Sequence, residues 1–191
     1  IFMTAIDKVY YEDVLEDDIL NLLKPYIQGK EKELYITSDN FAIDLNKVTA
    51  LLDLKIQYED LDDDVSGYID ERTIYVNKNH SSNRKRFTIA HEIGHFLHNH
   101  KNKIKYRNNS YAYDTEEMIE ERVANDFSAN LLMPKKQMEA LVYKFYKENN
   151  INLTSGLSIS EREELINYIA IKLEVSKIAA GIRLYNLGLD K

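Results

Sequence analysis

The chain has 191 residues, with 25 Lys+Arg against 32 Asp+Glu, five His and no Cys. Without Cys there is no disulfide, no thiolate nucleophile and no Cys-based zinc or iron–sulfur site, so any metal must sit on His, Asp or Glu. A formal charge of −7 argues against nonspecific nucleic-acid binding, which runs on Lys/Arg neutralisation of phosphates, and no apolar run approaches the ~18 residues of a membrane span. Ile1-Phe2-Met3-Thr4 does not open a charged-then-apolar leader, so no signal peptide is expected. Ile1 is not an ordinary start, so either Met3 begins the native chain or residues upstream of Ile1 belong to it. The class expected is an acidic, soluble, cytoplasmic globular protein.

Only six Gly and two Pro punctuate the chain, which favours long helices over a many-stranded sheet. A first helix is expected from about Glu12 to Leu23, with Val14, Leu15, Ile19, Leu22 and Leu23 on one face, broken by Lys24-Pro25 and Gly29. A second helical pattern starts near Asp39 and carries Phe41, Ile43, Leu45, Val48, Leu51 and Leu52. The period then changes: Lys55–Tyr58 reads as a strand, and Val65–Ile69 with Thr73–Val76 reads as a hairpin around Asp70-Glu71-Arg72. Ser82 to about His100 is helical again, and Lys101–Asp114 is a polar loop. Thr115 is the expected N-cap of a helix running to Met133, with Glu116 and Glu117 favouring its dipole. Pro134 opens the next helix, to about Lys147. After a loop over Asn149–Ser158, Ser160 and Glu163 match a capping box for a helix through Leu173. Ser176 caps a last helix with Ile178, Ile182, Leu184 and Leu187. The fold class expected is α+β, a small antiparallel sheet packed among helices. Three segments are expected: 1–38 a helical extension, 39–148 the main domain and 149–191 a C-terminal helical cap.

The chemistry is concentrated in His91-Glu92-Ile93-Gly94-His95. Positions i and i+4 share a helix face, so His91 and His95 present two imidazoles to one metal. Glu92 lies one step round, where it can reach a water on the ion without ligating the ion. A metal lowers that water's pKa towards ~7, and the carboxylate takes its proton and later delivers it to a leaving amine. This is the content of the HExxH motif. Phe87, Ile89, Ala90, Phe96 and Leu97 make the helix apolar enough to be buried, where two unpartnered imidazoles would be costly.

A catalytic zinc with two His wants one more protein ligand and an open position. The stretch Glu120-Glu121-Arg122-Val123-Ala124-Asn125 offers the carboxylate, and charge alone does not choose among Glu116, Glu117, Glu120 and Glu121. With Glu121 as ligand, Asn125 falls at i+4 on the same face and can accept a hydrogen bond from the non-ligating nitrogen of a zinc-bound His. His98 and His100 are further candidates, as a fourth ligand or, with Tyr111, Tyr113 and Tyr143, as a donor to a developing oxyanion.

The run Arg86-Phe87-Thr88-Ile89-Ala90-His91-Glu92-Ile93-Gly94-His95, followed by Glu121-Arg122-Val123-Ala124-Asn125-Asp126-Phe127-Ser128-Ala129-Asn130-Leu131-Leu132-Met133-Pro134, resembles the ImmA/IrrE family of zinc-dependent metallo-endopeptidases. The strands Ser66–Ile69 and Ile74–Asn77 resemble those preceding the family's active helix. The likeness covers roughly residues 40 to 135, and Ser128 stands where the family commonly has Ala. It implies a zincin-like, gluzincin-like fold with His91, His95 and Glu121 as ligands of a Zn2+ ion and Glu92 as general base. It also implies an intracellular protease acting on a regulatory protein, usually a helix-turn-helix repressor of a phage or mobile element, hence an anti-repressor role in transcription regulation. The hairpin's edge strand offers a way to bind an extended substrate by strand addition.

Two further features have alternative readings. Arg84-Lys85-Arg86 and Lys101, Lys103, Lys105 and Arg107 can form a basic rim or simply be solvated. The C-terminal Ile169–Leu184 resembles a helix-turn-helix, but its second helix offers only Lys177, Arg183 and Asn186 to DNA, so it reads as a packing cap rather than a DNA reader. The competing functional class is a regulatory interaction protein that binds a repressor or DNA through a zinc-stabilised fold without proteolysis; Glu92 speaks against it, since a pure binder has no need of that carboxylate.

Overall fold

The computed structural model describes residues 8–38, 40–100, 115–152 and 156–189. In chain order the elements are β1 (Val9–Tyr10), α1 (Tyr11–Val14), α2 (Asp17–Ile27), a short 3-10 turn (Glu31–Glu33), β2 (Tyr35–Ile36), α3 (Leu45–Leu51), β3 (Lys55–Glu59), β4 (Gly67–Asp70), β5 (Thr73–Asn77), α4 (Ser82–Leu97), α5 (Thr115–Leu132), α6 (Lys135–Glu148), α7 (Ile159–Leu173) and α8 (Lys177–Asn186). The class is α+β, as the residue pattern predicts. The chain divides into two compact units, one of Ile1–Leu20, Gly29–Ile43 and Ala129–Lys191, the other of Asn21–Gln28 and Asp44–Ser128.

The second unit carries the HExxH helix. Its sheet runs β3-β5-β4, with β5 in the centre. Ile74 and Val76 alternate inward on β5 and are fully buried, as the period of a half-buried strand requires. The hairpin pairs β4 with β5 antiparallel, Ile69 opposite Ile74, as expected. β3 joins the other side of β5 in parallel, Ile56 opposite Ile74, so the sheet is mixed rather than wholly antiparallel. Two sequential strands joined by a tight turn must run antiparallel, but β3 pairs with β5 and not with its neighbour in sequence, so the hairpin rule does not bind it. On α4, Ile89, Ala90, Ile93 and Leu97 are buried, the face that packs on β4 and β5. Ser81 caps α4 through the amide of Arg84, and the Arg84 guanidinium donates to Ser66 Oγ at 2.9 Å. Arg84 is thus a tie between α4 and the start of β4. Asn77, wholly buried, donates to the carbonyls of Leu61, Asp62 and Val65 at 2.9–3.1 Å and so fixes the loop that leads into β4.

In the first unit β1 and β2 pair antiparallel, and α6, α7 and α8 pack in sequence on buried Met138, Leu141, Phe145, Leu165, Ile169, Leu173, Ala180 and Leu184. Arg183 does not face outward: its Nε donates to the Met133 carbonyl at 3.0 Å and its Nη2 lies 3.7 Å from Glu16. α8 instead exposes Ile178, Ile182 and Tyr185. Arg183 is thus engaged within its own unit.

Several boundaries differ from the sequence reading. The first helix is two helices, since Leu15 is extended, and α2 runs through Pro25 to Ile27. A proline there forfeits one hydrogen bond in the last turn, which the helix tolerates; the stop comes at Gly29, at φ +80°. The second helical pattern begins at Leu45, not Asp39, because Asp44 accepts the amides of Asn46 and Lys47 and caps it there. The two short strands β1 and β2 carry no periodic signal and were not anticipated. Thr115 is the first residue of α5 rather than its cap. The capping box of α7 is Ser158 with Glu161, two residues before Ser160 with Glu163. Lys101–Asp114, with the basic residues and the two tyrosines expected there, lies outside the described residues.

Candidate metal centre

His91 and His95 lie one turn apart on α4 with their Nε2 atoms 2.9 Å from each other. Glu121, from α5, brings Oε2 to 3.4 Å from His91 Nε2 and Oε1 to 3.3 Å from His95 Nε2. These three residues form the cluster among the described residues whose donor atoms converge closely enough to hold a metal ion. A tetrahedral ion with bonds of about 2.0–2.1 Å separates its ligand atoms by about 3.3 Å, which is the spacing of the carboxylate from both rings.

The outer nitrogen of each ring has a partner. His91 Nδ1 is 3.1 Å from Asn125 Oδ1, an atom that can only accept, so His91 donates from Nδ1 and carries a lone pair on Nε2. His95 Nδ1 meets His100 Nδ1 at 2.9 Å. With His95 donating there, two imidazole lone pairs and a carboxylate point at one spot, an arrangement that asks for a cation.

Gly94 lets the two helices meet. A Cβ at that position would stand 3.1 Å from Phe127 Cδ1 and 3.2 Å from Ala124 Cα on α5. Without a side chain at this position the two helices come this close with neither neighbour having to give way. Gly67, on β4, is pressed in the same way by the Tyr75 carbonyl and the Thr88 methyl.

Glu92 is 7% exposed and is not among the three converging residues. Burial pushes its carboxyl up from the ordinary carboxylate range; His91 and His95 oppose this, Glu121 reinforces it, and the backbone amide of Ile69 on β4 pulls it back. Burial, with His95 next, pulls the His100 imidazole below its usual range.

The remaining sequence candidates fall elsewhere. Glu116, Glu117 and Glu120 are not in the cluster. His98 Nδ1 is 2.8 Å from the Gly94 carbonyl, to which it donates, and its ring packs edge-on against Phe127; it is not in the converging set. Tyr143 belongs to α6 in the other unit. The part of His100 as partner of His95, and those of Asn77 and Arg84 in holding β4, were not read from the sequence. Each depends on a contact between residues whose proximity periodicity does not reveal.

The family model of the IrrE N-terminal-like peptidase domain matches residues 48–185. That span takes in α4, α5 and nearly all of α6 to α8. No curated protein matches the chain. With the model of that peptidase domain matching most of its length, the chain belongs to the ImmA/IrrE family.

Proposed function

We propose that the protein is a zinc-dependent endopeptidase of narrow specificity, with His91, His95 and Glu121 as zinc ligands, Glu92 as general base and Asn125 orienting His91. The observation that carries the reading is a buried Glu92 one residue along α4 from His91, beside three converging metal donors. Two imidazoles and one carboxylate are the donor set of a catalytic zinc, which keeps a position open. Zinc, when bound, supplies Lewis acidity toward a water and the scissile carbonyl. Glu92 takes the proton from the attacking water and passes it to the leaving amine. Asn125 holds His91 in the tautomer that offers Nε2. β4 forms one edge of its sheet, and its Ile69 amide reaches the Glu92 carboxyl; an extended substrate segment added to that edge brings its backbone alongside the base.

The substrate is a regulatory protein, a helix-turn-helix repressor of a phage or mobile element, so that cleavage relieves repression, in the cytoplasm. Family membership supports a protein substrate. No helix among the described residues is long and apolar enough to cross a membrane.

The test is zinc content together with cleavage of the repressor encoded beside the protein. Wild type binds one zinc and cuts. Glu92→Gln keeps the zinc and loses ~10²–10⁴-fold in rate, the contribution of general base catalysis. Glu121→Gln loses the zinc. If both variants keep zinc and the repressor is bound but never cut, the protein is a regulatory binder and Glu121 is not a ligand.

A further inference from the structure

Five helices among the described residues end in the same backbone device. The residue beyond the last helical turn sits in the left-handed region: Asp53, Asn99, Asn150, Glu174 and Gly188, at φ between +53° and +65°. The next amide then reaches back five residues: Leu54 to Thr49, His100 to His95, Ile151 to Tyr146, Val175 to Ala170 and Leu189 to Leu184, at 2.8–3.1 Å. This is the Schellman closure, and it brings the side chain after the left-handed residue against the side chain five positions earlier. An apolar residue normally fills that place, and at four of these ends one does: Leu54, Ile151, Val175 and Leu189. At the end of α4 the residue is His100, and the residue five earlier is His95.

We propose that His100 is a positioning residue for the metal centre: the closure at Asn99 turns it back onto α4, where its Nδ1 accepts the hydrogen bond of His95 Nδ1–H and locks the His95 ring with Nε2 facing His91 and Glu121. The 2.9 Å contact joins the two Nδ1 atoms, so one of them must donate. With a metal held on Nε2, the atom turned to Glu121 and the His91 ring, the remaining ring hydrogen is on Nδ1 and His95 is the donor. His98 braces the arrangement. Its own Nδ1 is tied to the Gly94 carbonyl, and its ring stacks on His100 at 5.4 Å between centroids and 25° between planes. His91 has a corresponding partner in Asn125, so each imidazole of the pair is held from behind. One comes from α5, the other from the cap of α4 itself.

The role rests on the metal reading above, and the experiment separates the two. Zinc affinity is measured by competition with a chromophoric chelator, and geometry by the visible spectrum of the cobalt-substituted protein. Removing an outer hydrogen-bond partner of a metal-ligating His costs 10–100-fold in metal affinity, and that loss, with an altered cobalt band, is expected of His100→Ala. His100→Gln, whose side-chain oxygen can accept, recovers part of the loss. Asn99→Gly, which favours the left-handed turn, binds as wild type; Asn99→Val, which disfavours it, weakens binding as His100→Ala does. Far-ultraviolet circular dichroism of the metal-free variants reports that each is folded, and Asn99→Gly carries the comparison with His100→Gln should His100→Ala not fold. Wild type and His100→Ala binding zinc equally, with identical cobalt spectra, overturns the role of His100 alone. A wild type that takes up no zinc overturns the metal reading and this role with it.

Discussion

At the scale of single residues, the centre depends as much on what is absent as on what is present. Gly94 contributes no donor, yet its missing side chain sets how near α5 comes to α4, and therefore whether a carboxylate on one helix reaches two imidazoles on the other. Adding a methyl means displacing Ala124 Cα, a backbone atom, at 3.2 Å and the Phe127 ring at 3.1 Å. Overpacking of this kind costs about 1–3 kcal/mol. Gly94→Ala is therefore expected to lower stability by that amount in urea unfolding and to weaken zinc binding as well, because Glu121 moves off with α5. Unchanged zinc affinity in a destabilised variant would mean that the approach at Gly94 serves packing only. Glu92 shows the same dependence on surroundings. Its burial, reinforced by the neighbouring Glu121, raises the carboxyl against the pull of two imidazoles.

At the scale of elements, the chain ends its helices more distinctively than it begins them. N-caps are ordinary: Asp44, Ser81, Ser158 and Ser176 each accept an amide of the first turn. Two overlapping Ser-x-x-Glu patterns precede α7, and the structure uses the earlier one, with Glu161 returning the bond to the Ser158 amide at 2.8 Å. The Ser158 hydroxyl, and after it the Ser158 amide, hold the Glu161 carboxyl below its usual range. A lowered carboxyl contributes stability above its unfolded value, about 4.3, and loses it as the pH falls through the folded value. Loss of the Ser158 N-cap in Ser158→Ala should cost about 1 kcal/mol near neutral pH, and removal of the hydroxyl that lowers Glu161 should flatten the acid side of the stability profile. Ser160→Ala should change stability by less than about 0.5 kcal/mol. Denaturant midpoints of the two variants decide which box is in use. A larger loss from Ser160→Ala would move the start of α7.

At the scale of the whole molecule, the proposed metal ligands come from two helices separated in sequence by the stretch outside the described residues, so an ion held by them requires α4 and α5 together. Ligation then stabilises the folded state by mass action, about 4 kcal/mol at a free metal concentration 1,000 times Kd. For a chain of this length that is on the order of 10 °C in Tm. Calorimetry of the chelator-stripped and zinc-loaded protein should show that shift, and Glu121→Gln should remove it. An equal shift in Glu121→Gln would place the ion elsewhere. On α8, Arg183 is committed to Met133 and Glu16.

Much of this was legible in the sequence, and for identifiable reasons. The 3.6-residue period placed His91 and His95 on one face and Glu121 with Asn125 on another, since spacing along one helix is fixed by local geometry. Alternation placed β4 and β5, and Pro134 and Ser176 placed the starts of α6 and α8. What spacing cannot state is which helix lies beside which. The choice of Glu121 over Glu116, Glu117 and Glu120 needed the family resemblance in the sequence and the meeting of α4 with α5 in space. The parallel pairing of β3, the pinning of Arg84 and Arg183, and the loop held by Asn77 are long-range contacts with no local signature. His100 stands between the two cases. Its position after an Asn at a helix end is a local pattern, but a left-handed Asn99 closing the chain back onto a metal ligand emerges only once the helix has stopped, because the cap, not the period, decides where the next side chain goes.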